Sequence, residues 1–226
     1  MRYPNFSEEK KLWRKGYKRV VGLDESGRGP LAGPVVAAAV IISQSLAKKS
    51  LLHSNILFFD SKKLSAKKRE EPYQIIINHP QIKWGIGRVS EKVIDRINIL
   101  VATKLAMQRA IKNLEKRLER GSGQKIRDRG FFARGSFLII DGNFGLDLDI
   151  PQKSIIKADE KVFSCVAASI IAKVTRDRIM VKYHKKYPKY GFDKHKGYPT
   201  KFHREMIKKY GPSVIHRLTF KHGKKC

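Results

Sequence analysis

Apolar residues gather first in short runs and then in long ones along this chain. KRVVGLD at 18–24 and VVAAAVII from Val35 are runs of strand type, and the short Gly/Pro segment between them predicts a β-hairpin. WGIGRV at 84–89 reads as a third strand. From about Glu91 to Arg120 the spacing of Val93, Ile97, Leu100, Val101, Leu105 and Met107 predicts a helix with one apolar face, stopped by GSG at 121–123. FLIID at 137–141 and SIIK at 154–157 have the character of short buried strands. VFSCVAASIIAKVTRDRIMVKYHKKY, from Val162, predicts a long helix whose first half is buried and whose end is basic. An opening hairpin followed by strands separated by helices indicates an α/β fold, a mixed sheet with helices on its faces.

Length and composition fit one continuous domain: 226 residues, 41% apolar, with no linker, repeat or low-complexity tract. A catalytic core over about 18–187 and a basic, aromatic-studded extension over about 188–226 are expected. Charge sharpens this picture. Lys and Arg number 49 against 20 Asp and Glu, a formal net charge of +29, which favours a polyanionic partner, nucleic acid ahead of an anionic membrane surface. Two cysteines imply no disulfide framework, and no run is long and apolar enough to span a bilayer. A cytoplasmic protein without a membrane partner is expected.

Against this basic background, acid sits at three predicted strand ends: Asp24 beside Glu25, Asp141, and Asp159 just past SIIK. Strand ends of open α/β sheets are where functional groups from distant positions converge. Taken singly, Asp159 could cap the following helix and Asp141 in DGN could serve a turn. Asp24 with Glu25 is harder to place, because two like charges beside an apolar strand call for a compensating cation. Arg28 is one choice and a metal is another. Oxygen donors without a His/Cys cluster suit Mg²⁺ or Mn²⁺, and four carboxylates suffice for two ions about 4 Å apart, the arrangement that serves phosphodiester hydrolysis. Adjacent strand residues point to opposite faces, so Asp24 and Glu25 can share a site only if the strand ends or distorts there. Gly27 and Gly29 would allow that. GRGPLAG matches neither a P-loop nor a dinucleotide fingerprint, and it leads into a strand.

The blocks VGLDESGRGPLAGPVVAAAV, DSKKLS at 60–65, IIDGN at 139–143, KADEKVFSCVAASIIAKVTRDRIM at 157–180, KHKGYPTKFH at 194–203 and YGPSVIHR at 210–217 resemble, in collinear order over nearly the whole chain, the ribonuclease HII family. That resemblance implies an RNase H-like mixed sheet flanked by helices, with a C-terminal helical extension. It implies endonucleolytic cleavage of RNA in RNA/DNA hybrids and of duplex DNA 5′ of an embedded ribonucleotide, leaving 3′-hydroxyl and 5′-phosphate ends. The matching metal-binding and catalytic carboxylates are Asp24, Glu25, Asp141 and Asp159, holding Mg²⁺ or Mn²⁺, two ions with substrate bound. Gly27, Arg28 and Gly29 correspond to the loop that senses the 2′-hydroxyl, and Tyr198 to the residue that stacks on the sugar beyond the RNA-to-DNA junction. The chain is expected to act as a monomer, without the N-terminal substrate-binding domain of the related ribonuclease HIII.

Ser26 and Ala158 depart from the family pattern, which has alanine and glycine there; Ala158 would strain the backbone if that position required positive φ. Lys62 is expected to contact a phosphate. Lys173, about 21 Å along a helix beginning near Asp159, is expected to lie beyond the metals. Asp147, Asp149, Glu160 and Asp177 are expected at the surface, and the histidines show no zinc spacing. Two other readings fit the charge: a non-catalytic nucleic-acid-binding protein, and a two-metal nuclease of related fold such as a resolvase or integrase.

Overall fold

The computed structural model describes residues 4–48, 66–122 and 135–220. Among the described residues five strands form one sheet: β1 (Arg19–Ser26), β2 (Val35–Ile42), β3 (Ile82–Val89), β4 (Ser136–Asp141) and β5 (Gln152–Ile155), in the order β3-β2-β1-β4-β5. The predicted hairpin is present, with Val21 opposite Ile41 and Ser26 opposite Val36, and β3 extends it antiparallel. β4 and β5 are parallel to β1, so the sheet is mixed, as the sequence indicates. β5 stops two residues earlier than SIIK; Ile156 is exposed and Lys157 turns into the left-handed region at φ 58°.

Helices cover both faces: α1 (Ser7–Arg14), α2 (Gln44–Lys48), α3 (Ala66–Asn78), α4 (Glu91–Ser122), α5 (Phe163–Lys186), α6 (Phe192–His195) and α7 (Lys201–Tyr210). The sequence pattern assigned nothing to α3, whose Pro72 interrupts any such reading. Strand parity divides the core. Val21, Leu23, Ala37, Ala39, Leu138 and Ile140 face α4, while Ala38, Val40 and Ile42 face the apolar half of α5. The predicted helix over 91–120 is broken once, at Asn98 (φ 62°), whose Oδ1 accepts from the Leu100 and Val101 amides and so caps the second segment.

Small residues set how closely the layers meet. A Cβ at Gly22 would overlap the main chain at Ser164, and one at Gly87 would overlap the Ala106 carbonyl of α4. The glycines of WGIGRV therefore admit a helix. Because α5 starts against Gly22 and reaches Gly27 at Arg176, it runs alongside β1 in the same direction.

α5 begins without a side-chain cap of its own; Glu9 Oε1 of α1 accepts from the Ser164 amide (3.0 Å) and hydroxyl (2.9 Å). Burial pushes the Glu9 carboxyl up to about 7, and its Oε2 has no hydrogen-bond partner among the described residues. Since the folded state holds this proton more tightly than the unfolded chain, its contribution is full below about pH 4.5 and is lost as pH rises through 7. Glu9→Gln, which imitates the protonated carboxyl, is expected to gain on the order of 3 kcal/mol relative to wild type between pH 5 and pH 8.5. Thermal melts of both proteins at the two pH values check it.

The C-terminal region is tied to the loop after β1. Ala32 pairs with His216, the Leu31 amide donates to the Gly197 carbonyl, and the Gly33 amide to the Ile215 carbonyl. Among the described residues no helix is long and apolar enough to cross a membrane.

Candidate active site

Parallel pairing of β1 with β4 aligns Leu23 with Ile140 and stops there, so the next residues, Asp24 and Asp141, emerge side by side where the two strands part. β5 leads into a single 3-10 turn, Ala158–Glu160, that brings Asp159 to the same place. Carboxylate oxygens of Asp24, Asp141 and Asp159 lie within 4.8 Å of one another, with Asp24 1% and Asp159 2% exposed. The local hydrogen bonds aim the group: Asp24 Oδ1 accepts from the Glu25 amide (2.7 Å), and Asp141 Oδ1 from the Ala158 amide (2.8 Å). Three carboxylates held this close, two of them buried, suit a bound cation. Hard oxygen donors fit a divalent cation of the Mg²⁺ or Mn²⁺ kind.

The left-handed backbone at this turn falls on Lys157, and Ala158 is not among the positive-φ residues, so the departure from glycine carries no strain. Asp159 does not cap α5, whose N-cap is Val162.

Glu25 is not one of the three residues whose oxygens gather within 4.8 Å. The strand neither ends nor distorts at Asp24 as expected; it stays paired through Ser26. Glu25 meets Arg28 at 3.6 Å and lines an adjoining pocket of about 420 Å³ with Ser26, Gly27, Arg28, Gly29 and Tyr198. Arg69, Ser169 and Lys173 also line it.

Lys173 keeps to the distance implied along the helix. It lies outside the carboxylate cluster, yet because α5 follows β1 its third turn arrives beside the glycine loop, with Nζ 5.5 Å from the Tyr198 ring. Asp177 is no surface acid: it holds Lys173 at 2.9 Å and meets Arg69 at 3.8 Å. Only the i,i+4 spacing of Lys173 and Asp177 could have signalled this. Arg69 had no sequence signal. Lys62 lies outside the described residues.

Tyr198 is 39% exposed, with its ring toward the pocket. Its carbonyl is held by His203 Nδ1 (2.9 Å), and His203 Nε2 meets His216 Nε2 at 3.0 Å. Both histidines are buried.

The five-stranded mixed sheet with a carboxylate cluster at its parallel strand ends defines a nuclease of the ribonuclease H-like class. The crystal structure of ribonuclease H2 from Pyrococcus horikoshii superposes with a TM-score of 0.60 at 25% identity, covering 90% of this chain and 94% of that one. The chain belongs to the ribonuclease HII family: that family's model matches residues 21–223, and the ribonuclease HII of Desulfotalea psychrophila is 46% identical over 96% of this chain and 87% of its own. It is a type 2 ribonuclease H, an endonuclease. A structure of Bst-RNase HIII in complex with Mn²⁺ shares the fold, with a TM-score of 0.62 at 19% identity over 93% of this chain and 70% of that one.

Proposed function

We propose that this enzyme hydrolyses the RNA strand of RNA/DNA hybrids and incises duplex DNA on the 5′ side of an embedded ribonucleotide, leaving 3′-hydroxyl and 5′-phosphate ends. The observation that carries this reading is the Asp24–Asp141–Asp159 cluster set beside a pocket walled by glycine backbone, cations and Tyr198. A hybrid displays its 2′-hydroxyls in a broad, shallow minor groove, which a flat loop can approach and a bulky one cannot. Gly27 and Gly29 bring main chain to that groove, while Arg28, Lys173 and Arg69 offer charge to its phosphates. Lys62, on sequence grounds, joins them.

Asp24, Asp141 and Asp159, with Glu25 on the pocket side, hold Mg²⁺ or Mn²⁺, two ions when substrate is bound; the Mn²⁺ in the Bst-RNase HIII structure supports the choice. The chemistry such ions supply is activation of water and stabilisation of the leaving oxygen. The chain's own part is to orient the scissile phosphate against the carboxylates and to recognise the sugar on its flank. Tyr198 presents an apolar face to the deoxyribose beyond the junction.

A labelled DNA duplex with one ribonucleotide, its all-DNA counterpart and an RNA/DNA hybrid, each with Mg²⁺, Mn²⁺ or EDTA, test the reading. Incision mapped to the 5′ side of the ribonucleotide and lost in EDTA is the expected result. Cutting of the all-DNA duplex would point to a resolvase-like enzyme, and binding without cutting would refute catalysis. Tyr198→Ala is expected to lose about tenfold more activity on the single-ribonucleotide duplex than on the uniform hybrid. Equal losses would count against its reading the junction.

A further inference from the structure

Beneath the loop that joins β1 to β2 lie two guanidinium groups, Arg176 on α5 and Arg217 after α7, both fully buried. Their hydrogen bonds run to main-chain carbonyls of that loop. Arg217 donates from Nη2 to the Gly27 carbonyl (2.6 Å), from Nη1 to Arg28 (3.0 Å), and from Nε and Nη2 to Gly33 (3.0 and 2.8 Å). Arg176 donates from Nε to Pro34 (3.0 Å) and from Nη2 to Ala32 (3.1 Å). Five of the eight carbonyls between Gly27 and Pro34 are thus turned inward onto two cations. Neither arginine lines the pocket whose wall this loop forms.

Peptide planarity gives this clamp a consequence at the surface. In a trans peptide the N–H points opposite to the C=O, and the described residues contain no cis bond. Drawing the Gly27 and Arg28 carbonyls onto Arg217 therefore turns the Arg28 and Gly29 amides away from it, and both residues line the pocket. A planar fork with donors at fixed angles can hold two successive peptide planes at once, whereas a lysine ammonium is a single point of charge. We infer that Arg217, seconded by Arg176, is a positioning residue for ribose recognition, fixing the peptide planes of Gly27–Arg28 and Arg28–Gly29 so that their amides face the substrate. This rests on the proposed reading of the pocket.

The arrangement is not what stability alone would select. Burial lowers both guanidinium groups, Arg217 to about 9 and Arg176 to about 10, so both stay charged at neutral pH while sitting close enough to repel. Apolar side chains filling the same volume would escape that desolvation. What they would not do is orient carbonyls.

Arg217→Lys and Arg176→Lys test the inference, with folded fraction taken from circular dichroism at the assay temperature. Per folded molecule, Arg217→Lys is expected to lose about a hundredfold in kcat/KM on the single-ribonucleotide duplex, the scale of an ångström-level misplacement. Its Kd for the all-DNA duplex should stay within about twofold of wild type, because phosphate contacts are retained. Arg176→Lys should show the same pattern more weakly. A loss that disappears on normalising to folded protein, or falls equally on all-DNA binding, overturns the positioning role; so does wild-type kcat/KM in folded Arg217→Lys. Failure of the wild-type enzyme to incise the ribonucleotide duplex would instead strike the reading of the pocket itself.

Discussion

Asp24→Asn is expected to reduce cleavage at least about a thousandfold while leaving duplex binding within about twofold and raising the metal-free melting temperature. The three outcomes share one cause. Asp24 is nearly fully buried, and its oxygens lie within 4.8 Å of those of Asp141 and Asp159, so the metal-free site stores like-charge repulsion. The amide removes a third of that charge and keeps the local hydrogen bond, since Asn Oδ1 can still accept from the Glu25 amide. It also removes a ligand charge. Added Mg²⁺ should therefore raise the melting temperature of the wild type more than that of the variant. Turnover on the single-ribonucleotide duplex and melts with and without Mg²⁺ check this, and a variant that turns over normally would remove Asp24 from the site. A variant that is inactive because it is less stable would show that the carboxylate supports the fold instead.

Gly27→Ala is expected to combine a stability loss of about 2–4 kcal/mol with a fall in kcat/KM of about a hundredfold. At φ +106° this residue occupies backbone space that L side chains rarely enter, and a Cβ would overlap Arg176 Nε and come within 2.7 Å of the Pro34 carbonyl. Neither neighbour yields easily, because Arg176 is itself bonded to that carbonyl. The loop must move, and Arg28 and Gly29 move with it. Gly29→Ala separates the two effects. The nearest atom to its added Cβ is Tyr198 Cε1 at 4.0 Å, so the melting temperature should be unchanged while the methyl group stands in the pocket and lowers kcat/KM. Denaturant melts with steady-state kinetics decide both; an unaltered melt for Gly27→Ala would deny the backbone argument, and normal activity in Gly29→Ala would move the substrate elsewhere.

Much of this architecture is legible as pattern. The hairpin of β1 and β2, the buried strand FLIID and the long helix after Val162 follow from runs of apolar and β-branched residues, which depend on local chemistry alone. Placing acid at strand ends likewise anticipates that Asp24, Asp141 and Asp159 meet, because parallel strands of one sheet finish on one side. The break at Asn98 and the helix containing Pro72 escape such a reading, since one is a capping event inside an apolar periodicity and the other contradicts propensity.

By itself, then, the sequence determined which residue types recur at which period, and with them the strands, the principal helices, the acid at strand ends and the cationic surplus. Tertiary structure alone decided which distant residues touch. It brought Lys173 to the pocket by laying α5 along β1, and placed Arg176 and Arg217 under the glycine loop. The reason is physical: periodicity fixes the face on which a side chain lies, whereas its neighbours depend on how helices and strands from remote segments cross, and no local pattern encodes that crossing.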